Sequence, residues 1–109
     1  MFSIVIPTYN DNLLHRAIKS VLYKNYIFGV EVIVINDGGD EIEFNTIISK
    51  FNDNRIIHRT ISNSGGPAKP RNIGISLASF DYILLLDSDD YWVEGKLDVL
   101  FELIRKDRN

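Results

Sequence analysis

The chain contains no cysteine. That excludes a disulfide framework, a thiolate zinc site and a cysteine nucleophile, and it suits a reducing compartment. Its two histidines, His15 and His58, have no serine or second histidine at a useful spacing, and they read as structural or solvated side chains. Positive charge is not in excess. Twelve Lys+Arg stand against fifteen Asp+Glu, a net charge of -3, and there is no basic run. A duplex nucleic-acid binder needs a basic patch to neutralise phosphates, so nucleic acid is not an expected partner. No window approaches the roughly 20 apolar residues of a membrane span. The opening stretch from Phe2 to Pro7 is too short, and too uncharged in front, to read as a signal peptide. Two common nucleotide loops are also missing: no G-x-G-x-x-G follows the first apolar run, and there is no Walker A sequence.

What is present is 109 residues that are 45% hydrophobic and 25% charged, enough for one domain with a real core. The length is short for an enzyme that must hold two substrates. The hydrophobic pattern alternates between two periods. Strands are predicted over Phe2-Ser3-Ile4-Val5-Ile6, ended by Pro7, over Val30 to Ile35, near Arg55 to Thr60, and over Tyr82 to Leu86. Between them, helical spacing links Leu13, Leu14, Ala17, Ile18, Val21 and Leu22, then Phe44, Ile47, Ile48 and Phe51. Asp11 or Asn12 can cap the first helix. A third helix is predicted near Ala68 to Ser79, with Pro70 tolerated only in its first turn. Leu97, Leu100, Leu103 and Ile104 mark a last helix that runs on toward Asn109.

This βαβαβαβα order, with strands apolar on both faces, predicts an α/β domain with an open, doubly wound, mostly parallel sheet. Ligands in such sheets bind beyond the carboxyl ends of the strands, so the residues just after each strand are the informative ones. After the first strand, Thr8 offers a hydroxyl and Tyr9 a flat ring that can stack on a base, although the same residues also fit a plain turn. After the second, Asp37 can accept a hydrogen bond from a base or simply form the turn with Gly38 and Gly39. After the third, Asn63-Ser64-Gly65-Gly66-Pro67 opens a helix carrying Arg71, an arrangement that favours anions or is only a flexible loop with a solvated arginine. After the fourth, Asp87, Asp89 and Asp90 crowd into four residues. If the chain stays extended, Asp87 and Asp89 point to one side, where their repulsion is relieved by a divalent cation. Mg²⁺ or Mn²⁺ needs only one or two such carboxylates when phosphates and waters complete its shell. An acidic helix N-terminus would read similarly. Tyr91 and Trp92 can wall a pocket or anchor the last helix in the core.

Taken jointly, the four loops resemble the family 2 glycosyltransferases of the GT-A fold, whose domain is of the nucleotide-diphospho-sugar transferase type. Ile4 to Asn10 is similar to the family's opening, and Glu31 to Gly38 to its second strand and DDGS element. Asn63 to Pro67 with Arg71-Asn72-Ile73-Gly74 is similar to the N-x-G-G-P…A-R-N-x-G stretch, and Tyr82 to Asp90 to the strand leading into D-x-D. The resemblance implies transfer of a sugar from a nucleotide-diphosphate donor, UDP-sugar foremost, assisted by Mn²⁺ or Mg²⁺ and inverting. It implies that Pro7, Thr8 and Tyr9 cradle the nucleobase and that Asp37 hydrogen-bonds it. Arg71 would lie near base or phosphates. Asp89 would be the main metal ligand, with Asp87 and Ser88 at the ribose or the metal shell. A glycan or lipid-linked acceptor, polysaccharide biosynthesis and a cytoplasmic location, at the inner face of the membrane for a longer protein, are implied in the same way.

Three positions depart from the pattern: Asn36 for the first acid of DDGS, Gly39 for its serine, and Pro70 before Arg-Asn. The family's catalytic base lies C-terminal to D-x-D, and no residue here is assigned to it; Asp98 and Glu102 read as a solvated helix face. Residues 1–109 are therefore expected to form the donor-binding part of a truncated GT-A domain. Two other classes compete: a non-catalytic nucleotide- or metal-binding α/β module, and a receiver-like signalling domain. The second lacks its phospho-acceptor, because the third strand ends in Thr60-Ile61-Ser62, and it lacks a clear fifth strand.

Overall fold

The computed structural model describes residues 1–107. Four strands and four helices alternate: β1 (Phe2–Thr8), α1 (Leu14–Leu22), β2 (Val30–Asp37), α2 (Glu41–Phe51), β3 (Ile56–Ile61), α3 (Ala68–Leu77), β4 (Tyr82–Leu85) and α4 (Lys96–Asp107). All strand pairs are parallel, in the order β3-β2-β1-β4. The predicted α/β class and element order are thus observed. The predicted end of the last helix, Arg108-Asn109, lies outside the described residues.

Period-two alternation divides the sheet between two layers of helices. Ile4 and Ile6 of β1, with Val32 and Val34 of β2, face Leu14, Ile18 and Val21 of α1, Phe44 and Ile48 of α2, and Leu97 of α4. Val5, Ile33 and Ile35 face the other way, against Ile73 and Leu77 of α3. Each of these side chains, removed from water, stabilises the fold by roughly 1.5–3 kcal/mol, before the cost of ordering it. Gly74 lets α3 rest directly on β1, because a Cβ at that position would overlap Cγ1 of Val5. Asp40 caps α2 by accepting from the Glu43 N–H at 3.1 Å.

The strand and helix ends differ from the sequence expectation in ways that matter for the site. β1 does not stop at Pro7 but continues to Thr8, paired with Asn36 of β2. The carbonyl of Val5 points toward β4, where it accepts from Leu86 N–H at 3.0 Å. Pro7 has the same parity, so its missing N–H faces a place where β4 has already ended. Likewise β2 continues through Asn36 to Asp37, paired with Ile61. α1 begins at Leu14 without a side-chain cap; Asp11 acts one turn earlier, accepting from Leu13 N–H at 2.8 Å. α3 ends at Leu77, where Ala78 turns extended.

From β1 the chain moves outward to β2 and β3, then crosses the opposite face through α3 to place β4 on the other side of β1. The loops after β1 and β4 therefore diverge, and such a switch in strand order leaves a crevice at the carboxyl edge of a doubly wound sheet.

Candidate functional site

A cleft of about 530 Å³ opens at that edge. Every strand contributes to it. Pro7, Thr8, Tyr9 and Asp11 come from β1 and its loop, and Asp37 from the end of β2. Asn63, Gly65, Gly66, Pro67 and Pro70 come from the β3–α3 connection, and Asp87, Ser88 and Asp89 from the turn after β4. Seven predicted residues, Pro7, Thr8, Tyr9, Asp37, Asp87, Ser88 and Asp89, thus share one wall-to-wall space. Tyr9 lines the cleft and is 56% exposed.

Asp37 is held rather than free. It is only 6% exposed. Its Oδ1 accepts from Ser64 N–H at 2.9 Å and its Oδ2 from the Ser64 hydroxyl at 2.8 Å. Its carbonyl accepts from the Asn63 side-chain amide at 2.9 Å. These bonds satisfy a buried carboxylate without a cation and fix the β3–α3 loop against the end of β2. Gly38 is required for that approach. Its φ is +78°, and a Cβ there would lie 2.5 Å from Asn63 N. The start of α3 is sparse in donors, because Pro67 and Pro70 carry no N–H.

The departures at Asn36 and Gly39 fit each other. Asn36, buried in the sheet end, accepts from Gly39 N–H at 2.9 Å through Oδ1 and donates to the Gly39 carbonyl at 3.2 Å through Nδ2. A side chain at Gly39 would meet Asn36 Oδ1 at 2.8 Å and Asn10 Oδ1 at 2.7 Å. An amide closing on a glycine thus builds the turn that follows Asp37.

The acidic segment does not stay extended, which corrects the alternation argument. Asp90 N–H donates to the Asp87 carbonyl at 3.0 Å, closing a turn over Asp87-Ser88-Asp89-Asp90. Asp87 and Asp89 still reach the same cleft, because the turn hangs over its mouth. Asp90 is outside its lining. Ser88 is buried and donates to Asp11 Oδ2 at 2.7 Å. Arg71 does not line the cleft. Its Nη2 donates to Asp87 Oδ1 at 3.1 Å, and its Nε is buried without a hydrogen-bond partner among the described residues.

Hard oxygen donors of this kind suit Mg²⁺ or Mn²⁺. Asp87 keeps 59% of its side chain exposed. Asp89 is gripped through its backbone carbonyl, which accepts from Arg16 Nη2 at 2.8 Å, so its carboxylate takes no part in that contact. Among the described residues no three acidic or histidine side chains converge to hold an ion on their own. With only two carboxylates of the acidic turn, Asp87 and Asp89, in the cleft lining, a cation held by them would need oxygens from a ligand and water to complete its shell.

The remaining candidates fall outside the cleft. His15 stacks on Phe51 at 4.8 Å and His58 sits edge-on to Phe44 at 6.0 Å, as expected of structural histidines. Asp98 pairs with Lys24 at 2.8 Å and Glu102 with Arg105 at 2.7 Å, both on α4. Trp92 packs against the core, and Tyr91, 52% exposed, lies under Arg16. Asp11 and Pro70 are cleft residues that the sequence does not point to. Asn63, Gly65, Gly66 and Pro67 belong to the loop read as favouring anions, whereas Pro70 reads only as a residue of the first helical turn. In sequence Asp11 reads only as a helix cap; its second contact, to Ser88, joins positions 77 residues apart.

Solved structures share this frame. The crystal structure of Staphylococcus aureus TarS in complex with UDP-GlcNAc superposes with a TM-score of 0.86 at 28% identity, over 96% of this chain and 31% of that one. A TarS complex with UDP gives the same score. Among curated sequences, the Escherichia coli UDP-Glc:alpha-D-GlcNAc-diphosphoundecaprenol beta-1,3-glucosyltransferase WfgD is 32% identical over 97% of this chain. The S. aureus poly(ribitol-phosphate) beta-N-acetylglucosaminyltransferase TarP is 34% identical over 91% of it. The chain spans 42% of WfgD and 31% of TarP. The sequence model for glycosyl transferase family 2 matches residues 3–109. With its parallel β3-β2-β1-β4 sheet and four-loop cleft, the chain belongs to glycosyl transferase family 2.

Proposed function

We propose that this chain is the donor-binding portion of an inverting glycosyltransferase that takes its sugar from a UDP-sugar, with Mn²⁺ or Mg²⁺ at the diphosphate. The observation that carries this reading is the convergence of Tyr9, Asp37, Asp87 and Asp89, from three different strand ends, on one cleft of nucleotide size. The tyrosine ring gives a stacking surface for a base. Asp37, fixed by Ser64, presents a carboxylate whose remaining lone pairs can accept a base N–H. Asp89 and Asp87 would hold the cation, which when bound offsets the charge that develops on a departing diphosphate. Arg71, outside the cleft lining, keeps Asp87 in place through their salt bridge.

Sugar transfer also needs an acceptor and a base, and no carboxylate here is assigned as that base. The diphosphoundecaprenol in the name of WfgD and the poly(ribitol-phosphate) in that of TarP support a lipid-linked or polymeric acceptor; polysaccharide biosynthesis at the cytoplasmic face of a membrane is part of the same proposal. No helix among the described residues is long and apolar enough to cross a membrane. Calorimetry with UDP, GDP and UDP-sugars, with and without Mn²⁺, tests the reading. UDP binding that depends on Mn²⁺ and is weakened by Asp89→Ala is expected. Equal binding by wild type and variant would remove the site assignment, and binding of nucleotide with no metal effect would favour a non-catalytic module.

A further inference from the structure

Residues 86 to 95, between β4 and α4, form no helix or strand, yet they carry the acidic turn. Their backbone groups need partners from elsewhere, and α1 supplies them in order. Asp11, just before α1, uses one carboxylate oxygen for Leu13 N–H and the other for the Ser88 hydroxyl. Arg16 donates to the Asp89 carbonyl at 2.8 Å, and its guanidinium carbon lies 4.6 Å from the centre of the Tyr91 ring. Ser20 accepts from Trp92 N–H at 3.1 Å, and the Tyr23 hydroxyl accepts from Gly95 N–H at 2.9 Å. Positions 16, 20 and 23 follow one another at helical spacing, so they form one stripe along α1. The whole segment is clasped to that stripe.

Arg16 is exposed, as is Tyr23, so the core does not need it. It differs from the other members of the clasp in bringing a positive charge to the acidic turn. It holds the backbone of Asp89 through a charge-assisted bond and leaves the carboxylate to the cleft. With Arg71 on the Asp87 carboxylate, two guanidinium groups flank the acidic turn, one fixing each acid.

Building on the donor-site reading, we propose that Arg16 is a positioning residue that sets Asp89 for the donor's cation. A group that orients a metal ligand is worth about tenfold to a hundredfold in metal affinity. Arg16→Ala should therefore raise the Mn²⁺ concentration needed for half-maximal UDP binding by about tenfold. Metal-free UDP affinity and the unfolding midpoint should stay near wild type. Arg16→Lys, which keeps a cation over Tyr91 and a donor for the carbonyl, should recover most of the loss. Tyr91→Ala, which removes the ring beneath the guanidinium, should shift the Mn²⁺ requirement in the same direction by less. Hydrogen exchange at Asp90 and Tyr91 amides should speed up in Arg16→Ala without nucleotide.

The outcomes separate. If wild type binds UDP with no metal dependence, the donor-site reading fails and this inference falls with it. If wild type shows that dependence and Arg16→Ala matches it, the reading survives and the positioning role is refuted. If Arg16→Ala loses thermal stability and metal-free binding together with metal dependence, Arg16 is merely structural and the inference is likewise refuted.

Discussion

Arg71 on α3 reaches across the mouth of the sheet to Asp87, Nη2 to Oδ1 at 3.1 Å, while its Nε stays buried and unpartnered. The pair is largely solvated, so its direct worth to the fold is small, about 1 kcal/mol or less. Its consequence is local. One acid of the turn is neutralised by a side chain anchored on a different element, and the carboxylate of the neighbouring Asp89 is left to the cleft. Arg71→Ala should leave chemical denaturation within about 1 kcal/mol of wild type. It should weaken Mn²⁺-dependent UDP binding by roughly tenfold, the scale of losing a group that orients a proposed metal ligand. Titration calorimetry beside a urea melt checks both, and a large loss of stability with unchanged binding would contradict the assignment.

Asp37 is the buried acid of the site, and Ser64 gives it two donors. Ser64→Ala removes the hydroxyl but keeps the N–H, leaving Oδ2 short of a partner in a nearly closed position. A buried polar group deprived of its bond costs about 1–3 kcal/mol. The urea midpoint should fall accordingly. UDP affinity should fall as well, because the β3–α3 loop that lines the cleft is tied down through the same pair.

Much of this was legible from residue order. Continuous apolar runs read as parallel strands buried on both faces, which holds for β1 and β2 but not for the outer strands β3 and β4, whose residues are half-buried or exposed, and the carboxyl ends of the strands told where to look. Pro7, Thr8, Tyr9, Asp37, Asp87, Ser88 and Asp89 do meet. What was not legible depends on contacts between distant positions. The i to i+3 bond that folds Asp87 to Asp90 back on itself overrides the alternation expected of an extended chain. Arg71 faces Asp87 rather than the open cleft, a choice set by where α3 crosses β1. Asp11 looked like a helix cap, and only the partner 77 positions away, Ser88, reveals its second role. Asn36 and Gly39 read as two separate departures from a pattern, whereas in the fold they are one amide-to-backbone clasp.

Gly74 places α3, and with it Arg71 one turn earlier, against the sheet. A Cβ there would overlap Cγ1 of Val5 and lie 3.2 Å from Cγ2, in a part of β1 that is fully buried. Gly74→Ala should therefore destabilise the fold by about 1–3 kcal/mol, the usual cost of overpacking, despite the better helix propensity of alanine. Val5→Ala in the same chain should recover part of the loss by making room. A stabilised Gly74→Ala variant in thermal melts would contradict the packing described.

Tyr26 offers a pH test remote from the site. Its hydroxyl donates to the Val21 carbonyl at 2.6 Å near the end of α1, and burial, the largest influence, pushes its pKa up to about 12. An unfolded tyrosine ionises near 10. The folded value is the higher, so the contribution of Tyr26 to stability is complete below about pH 10 and is lost as pH rises toward 12. Ultraviolet titration of the tyrosinate band should show one of the five tyrosines ionising late, and Tyr26→Phe should abolish that step. The variant should also lose less stability than wild type between neutral and strongly alkaline pH. A late step that persists in Tyr26→Phe would assign it to another tyrosine and undo the linkage.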